Sequence, residues 1–391
     1  MLRRIPTAML QVGMYVHEFC GSRRHADWSR RFLIGSAAQL QRVRQSGIEE
    51  VLIDTSRGAD LPAPATPPAS SGAQRLPIEQ EAQRAQHICQ SAREAVSEML
   101  ASVRMGKAVD VGRFEGLFGE IRDSVSRHPH AIINLARLKT ANDYTYMHSV
   151  AVCALMTSLA RQLRLSDEQV CEAGMAGLLH DLGKVAIPEA ILNKPGQLSD
   201  EEFAIVRGHP EAGHRILERD GRIGAAVLDA CLHHHEKLDG SGYPHRLQGE
   251  QISLLARMCA ICDVYDAVTS ERVYKNAWDP AEALHRMARW HGHFDPAVFQ
   301  AFVKTIGIYP VGSVVRLSSG RIAMVVEQNP QSLLTPKVRV LRAGRTALAP
   351  GEAILDLADA RLGERIVERD PEEGARLRDV WENLPALYAQ E

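Results

Sequence analysis

The chain has 391 residues, enough for two to four domains with full cores. Lys and Arg total 46 against 48 Asp and Glu, for a net charge of −2, and aromatic residues make up 5%, so neither the basic excess nor the stacking surface of a polymeric nucleic-acid binder is present. Seven scattered cysteines, the lack of any apolar run of membrane-spanning length and the lack of a signal-peptide core lead us to expect a reduced, cytoplasmic protein without membrane contact.

From the N-terminus, residues 1–60 read as a small α+β unit. Leu10 to Val16, Phe32 to Ile34 and Val51 to Asp54 have strand character, and a helix from Ser36 to Gly47 is capped by Ser36 and stopped by Gly47. Nothing there forms a catalytic set, so a regulatory or interaction role is expected. Residues 61–77 include a Pro/Ala/Ser-rich stretch that reads as an exposed linker. Connecting helices occupy 78–127. In the first, Ile88, Ala92, Ala95, Met99 and Val103 recur at spacings of three and four and form one apolar stripe. That stripe either packs on its own domain or is the seam of a homodimer.

Residues 128–308 read as helical throughout, and 13 of the 16 histidines lie between His128 and His293. At the centre stands His180-Asp-Leu-Gly-Lys184, after the apolar run Ala173 to Leu179. An imidazole followed directly by a carboxylate offers a nitrogen ligand and an oxygen donor able to bridge two cations. One such pair is weak; with His148, His209, His234, His235 and Asp263 around it, a metal is the economical explanation. Ser166 with Gln169 forms a capping box ahead of the His180 helix, and Pro210 bars a helix from running through His209. Asp263 and Asp266, three apart, share a helix face, so one can ligate while the other orients a ligand or contacts substrate. Cys259 and Cys262 have CxxC spacing but lie in an apolar helix, and core packing is expected of them. Residues 309–391 read as a β-rich extension, with strands at Gly312 to Leu317, Ile322 to Val326 and Val338 to Leu341 and a final helix from about Pro371 to Tyr388.

Several stretches match a known family in order across roughly 180 residues: His148-Ser149, His180-Asp-Leu-Gly-Lys184, Ile187-Pro188, Lys194-Pro-Gly196, His209-Pro210, His234-His-Glu-Lys-Leu-Asp-Gly-Ser-Gly-Tyr-Pro244, Asp263-Val-Tyr-Asp-Ala267, Thr269-Ser-Glu-Arg272 and Phe294-Asp-Pro296. In these the chain resembles the HD-GYP branch of the HD-domain metal phosphohydrolases of bacterial signal transduction. Residues 1–60 also look like the small domain preceding it in some bacterial members. The resemblance implies a mainly α protein: an all-α HD-type domain flanked by the small α+β and β-rich parts. It further implies hydrolysis of cyclic di-GMP to pGpG, and often onward to GMP. An inactive cyclic-dinucleotide receptor or docking module, and a hydrolase of another cyclic dinucleotide, are the alternatives.

Carried over by position, the resemblance implies a first metal site of His148, His180, Asp181 and Asp263. The second is His209, His234 and His235, with Asp181 bridging. Nitrogen and oxygen donors without thiolate suit two divalent ions, iron or manganese, with zinc also compatible. Asp181, His180 and Lys184 are expected to carry the catalysis. Two cations about 3.5–4 Å apart would activate water for in-line attack on phosphorus. Lys184, Tyr243, Asp266, Arg272 and Lys275 are the expected substrate contacts. Where some members place a Glu that supports a third metal, this chain has Tyr144, so two metals are expected. The Gly-Tyr-Pro loop and the N-terminal domain are the expected surfaces for protein partners.

Overall fold

The computed structural model describes residues 2–7, 10–20, 31–44, 48, 50–55, 57–58, 78–107, 109, 111–137, 144–270, 277–329, 331–343, 346–347 and 354–370. The chain divides into two compact units, Met1–Ala73 and Gln74–Glu391.

In the first unit an antiparallel sheet has the order β1 (Leu2–Pro6), β4 (Glu50–Asp54), β2 (Tyr15–Cys20), β3 (Phe32–Leu33). Val16, Val51 and Ile53 are buried with Leu10, Met14 and Ile34, and helix α1 (Ala37–Arg44) closes this core through Val43 and Leu40. Strand β1 was not among the expected elements: two arginines in Leu-Arg-Arg-Ile-Pro mask an edge strand that needs partners on one side only. The expected first strand, Leu10 to Val16, is a turn leading into β2, with Gly13 at φ +96°.

The second unit is built from helices α2 (Ile78–Arg104), α3 (Val111–Arg127), α4 (Pro129–Arg137), α5 (Tyr144–Gln162), α6 (Asp167–Leu179), α7 (Glu189–Leu192), α8 (Asp200–Arg207), α9 (His209–Glu218), α10 (Ala225–His233), α11 (Leu254–Thr269), α12 (Pro280–Met287) and α13 (Pro296–Ile306). The α2 stripe is buried: Ile88, Ala92, Ala95 and Met99 join the core of this unit, packing against α3, α4 and α5. The homodimer reading loses its sequence hint thereby. Arg127 adds a two-pronged pair to the fully buried Glu81, with N–O distances of 2.6 and 3.1 Å, locking α3 to α2.

Helix α5 is apolar on every side, as its burial requires; every residue from Val150 to Ala160 is buried. Two glycines on α6 let α6 approach α5 closely. A Cβ on Gly177 would meet the Val152 carbonyl oxygen at 2.8 Å, and one on Gly174 would lie 2.7 Å from Thr157 Oγ1 on α5 and 2.1 Å from the Phe118 ring on α3. This close crossing brings His148, near the start of α5, beside His180, at the end of α6, with ring centroids 5.2 Å apart.

After α13 the chain forms a sheet ordered β10 (Ile366–Arg369), β5 (Val314–Leu317), β6 (Ile322–Glu327), β7 (Lys337–Ala343), β8 (Thr346–Ala347), with β9 (Ile354–Asp356) also on β7. Strands β5, β6 and β7 are the expected three; β8, β9 and β10 are short or polar and carry no alternation long enough to read. The Arg369 guanidinium meets Asp279, the N-cap of α12, at 3.1 Å and anchors the sheet to the helices. The expected linker over 61–77 and terminal helix over 371–388 lie outside the described residues. No described helix is long and apolar enough to cross a membrane.

Candidate metal centre

The site is assembled where helices end. Helix α6 stops at Leu179, His180 caps it, and Asp181 sits at φ −97°, ψ 6°, in the bridge region, before a 3₁₀ turn from Leu182 to Ala186. The sequence led us to expect His180 and Asp181 within one helix; instead the change of helical type at Asp181 lets both side chains face one interior. Gly183 makes the turn fit. A Cβ there would lie 1.9 Å from the His209 carbonyl oxygen and 2.4 Å from the Gly213 nitrogen, so the turn packs backbone to backbone on α9. His209 begins α9, with Pro210 next to it, as expected from the chemistry of proline at a helix start.

Asp181 lies between two groups of imidazoles. Its Oδ2 is 3.4 Å from Nε2 of both His148 and His180; its Oδ1 is 3.3 Å from His209 Nε2 and 3.9 Å from His234 Nε2. Asp263 Oδ1 is 3.0 Å from His148 Nε2 and 3.8 Å from His180 Nε2. Potential ligand atoms lie within 4.8 Å of one another in three overlapping groups: His148, His180, Asp263; His180, Asp181, His234; and His209, His234, His235.

Four of the five rings are oriented from behind. His180 Nδ1 donates to the Gly177 carbonyl at 2.9 Å, His209 Nδ1 to Val206 at 2.7 Å and His234 Nδ1 to Cys231 at 2.8 Å, while His148 Nδ1 pairs with Asp266 Oδ2 at 2.6 Å. With Nδ1 protonated, the neutral tautomer turns a lone pair on Nε2 toward the centre. His209 Nε2 and His234 Nε2 then face each other at 3.3 Å, an arrangement that repels unless a proton or cation mediates it. His180 Nε2 is buried without a hydrogen-bond partner. These orphaned, converging lone pairs fit divalent cations.

The electrostatics divide accordingly. Burial opposes charge on His148 and His180, yet the adjoining carboxylates hold both above the ordinary imidazole range, His180 at about 10. Burial opposes ionisation of Asp181 and Asp263 too, yet Lys184 with His180 and His148 around Asp181, and His148, His180 and His235 around Asp263, keep both well below the usual carboxylate range. His234 and His235 go the other way: burial and adjacent imidazoles depress them, His235 to about 3.

Asp266, expected either to orient a ligand or to contact substrate, is fully buried behind His148, with the Ser270 hydroxyl on its other oxygen at 3.3 Å, a placement that suits orienting the His148 ring. Lys184 Nζ lies 2.6 Å from Asp181 Oδ2. Tyr243 stacks on His235, with centroids 4.8 Å apart, and burial pushes its phenol up, keeping it an O–H donor. Arg272 and Lys275 lie outside the described residues. Tyr144 opens α5. Cys259 and Cys262 are fully buried core. His233 turns away from the centre to Asp229 at 2.8 Å and His245 at 2.9 Å.

Glu236 had no expected role. Buried, it accepts from the backbone N–H groups of His245 at 2.6 Å and Leu247 at 3.1 Å, and so pins the loop carrying Tyr243. Gly242 packs on the same backbone, where a Cβ would meet the Lys237 nitrogen at 2.4 Å, and the Tyr243–Pro244 bond is cis.

A helical scaffold presenting clustered His and Asp side chains at helix ends defines an HD-type metal phosphohydrolase domain. The HD domain family matches residues 121–298, and a domain of unknown function, DUF3391, matches residues 2–114. The chain is 52% identical to the cyclic di-GMP phosphodiesterase PA4108 of Pseudomonas aeruginosa, over 99% of this chain and 96% of that one. It is 40% identical to the cyclic di-GMP phosphodiesterase response regulator RpfG of Xanthomonas campestris, over 44% of this chain and 47% of that one. It is 38% identical to the 3'3'-cGAMP-specific phosphodiesterase 2 of Vibrio cholerae, over 44% of this chain and 34% of that one. The chain belongs to the HD-GYP family.

Proposed function

We propose that this protein is a metal-dependent phosphodiesterase that opens cyclic di-GMP to pGpG, with GMP as the product of any second cleavage. The observation that carries this reading is Asp181, whose two oxygens face two separate sets of imidazoles. His148, His180, Asp263 and Asp181 Oδ2 would hold one cation; His209, His234, His235 and Asp181 Oδ1 would hold the other. Iron or manganese suits this mixed nitrogen and oxygen set, and zinc is compatible with it. When bound, the ions supply the charge that activates water and neutralises the phosphate.

The chain's own residues do the rest. The Nδ1 hydrogen bonds fix the rings before substrate arrives, lowering the reorganisation needed in the transition state. Lys184, 2.6 Å from Asp181 Oδ2 at the edge of the site, would bind a phosphate oxygen of the substrate. Tyr243 offers its hydroxyl proton from above His235. Relatives named for cyclic di-GMP favour this substrate; relatives named for 3'3'-cGAMP make that dinucleotide the second reading.

The test is an anaerobic assay of purified protein with cyclic di-GMP and added manganese or ferrous iron, with metal counted per chain. Formation of pGpG or GMP with about two metals bound is expected. Tight nucleotide binding without product under both metals would convert the reading to a receptor, and faster turnover of 3'3'-cGAMP would reassign the substrate.

A further inference from the structure

Helix α8 leads directly into the ligand His209, yet none of its described residues is buried, and it presents large apolar groups to solvent: Phe203 is 39% exposed and Ile205 46% exposed. The helix is firmly set despite this. Ser199 and Glu202 form a capping box, and Lys194 pairs with Glu202 at 2.6 Å. Arg207, in its last turn, places its guanidinium 4.4 Å from the centre of the Phe203 ring and 5.8 Å from that of Tyr243. Tyr243 in turn stacks on His235. A wall of Phe203, Arg207 and Tyr243 therefore begins at the metal centre and runs outward from it.

Lys184 and Arg207 differ in what already holds them. Lys184 is engaged by Asp181 at 2.6 Å. Arg207 is exposed, and among the described residues no carboxylate pairs with it. A guanidinium held over an aromatic ring keeps its edge N–H groups available, and that fork matches two acceptors side by side. Guanine presents such a pair, N7 and O6. Adenine presents N7 beside an amino group, which opposes a second donor.

From this, and resting on the cyclic-dinucleotide reading above, we infer that Arg207, braced by Phe203, receives the Hoogsteen edge of a substrate base and selects guanine over adenine. Tyr243 spaces that base from the metal centre. Arg207 is thus a specificity-determining residue that acts on binding, with the scissile phosphate left to the centre itself.

The experiment compares kcat and KM of the metal-loaded full chain on cyclic di-GMP, 3'3'-cGAMP and cyclic di-AMP, for wild type, Arg207→Ala, Arg207→Lys and Phe203→Ala. Arg207→Ala is expected to raise KM for cyclic di-GMP on the order of tenfold to a hundredfold and to erase the preference for guanine. Arg207→Lys should keep the charge without restoring that preference, and Phe203→Ala should lose part of it. An equal loss on all three dinucleotides would reduce Arg207 to a general phosphate attractor and overturn the inference. So would an equal loss on bis(p-nitrophenyl) phosphate, which carries no base and would mark Arg207 as a support of the metal centre. Direct binding of the same dinucleotides separates the two readings: no turnover by wild type counts against the hydrolase, whereas binding that Arg207→Ala leaves unchanged counts against Arg207.

Discussion

The two halves of the candidate metal centre differ in kind. Around His148 and His180 the chain places Asp263 as a direct neighbour and Asp266 behind it, and the imidazoles are drawn toward the charged state. Around His209, His234 and His235 it places nitrogen donors, backed by carbonyls in the case of His209 and His234, and the last two rings are pushed toward neutrality. The first half sets two carboxylates, Asp181 Oδ2 and Asp263, beside two imidazoles; the second sets three imidazoles around Asp181 Oδ1, with Asp263 Oδ2 reaching only His235, at 3.9 Å. Carboxylates attract a divalent ion at long range and tolerate its charge, so the first half should hold its ion more tightly. A chelator titration with metal counted at each step should remove one ion well before the other.

Asp181→Ala breaks the comparison most completely, because both halves lose a donor. Hydrolysis should be abolished and metal content should fall toward zero by elemental analysis; retained activity would sink the two-metal account. Lys184→Ala leaves both ligand sets whole. It should keep near-normal metal content while slowing kcat about 10²-fold, as expected for loss of one donor to a developing charge. Loss of metal instead would make Lys184 a structural partner of Asp181. Asp266→Asn acts on the first half alone, since it weakens the pull on the His148 proton. Affinity for the tighter ion should drop about 10- to 100-fold in a competition titration, with the weaker ion unaffected.

The smallest effect lies far from the centre. Glu364, 6% exposed in its side chain, accepts from Ser318, Ser319 and Arg321 and ties the β5–β6 turn to the segment before β10. Burial opposes its charge, but these donors lower it from the ordinary 4.5 to about 2. A depressed carboxylate binds fewer protons folded than unfolded, so its stabilisation is present above pH 4.5 and fades as pH falls toward 2. Glu364→Gln should therefore cost about 1.5–3 kcal/mol at neutral pH by urea unfolding, with the gap to wild type narrowing below pH 4.5. Activity should be untouched.

Much of this was legible in order along the chain. The capping box at Ser166, the break at Pro210 and the apolar face of α2 follow from local chemistry, in which a side chain three or four residues away decides the outcome. The clustering of His148, His180, His209, His234, His235 and Asp263 was legible because those residue types are rarely gathered without a metal. Strand β1 and the late strands were not, since an edge or polar strand takes its identity from the neighbour that pairs with it.

What the sequence determined by itself is the helical core, the more apolar strands and which residues carry donor atoms. Only the tertiary structure decided how those donors are used. It put Asp266 behind His148, because α11 and α5 pack with that face closed. It gave the two oxygens of Asp181 to different imidazole sets, because Gly177 and Gly183 allow backbone contacts that no local pattern encodes. And it set Arg207 beside Tyr243, 36 positions apart in the chain. Distances between helix ends depend on how helices pack, and that is written in their shared surface.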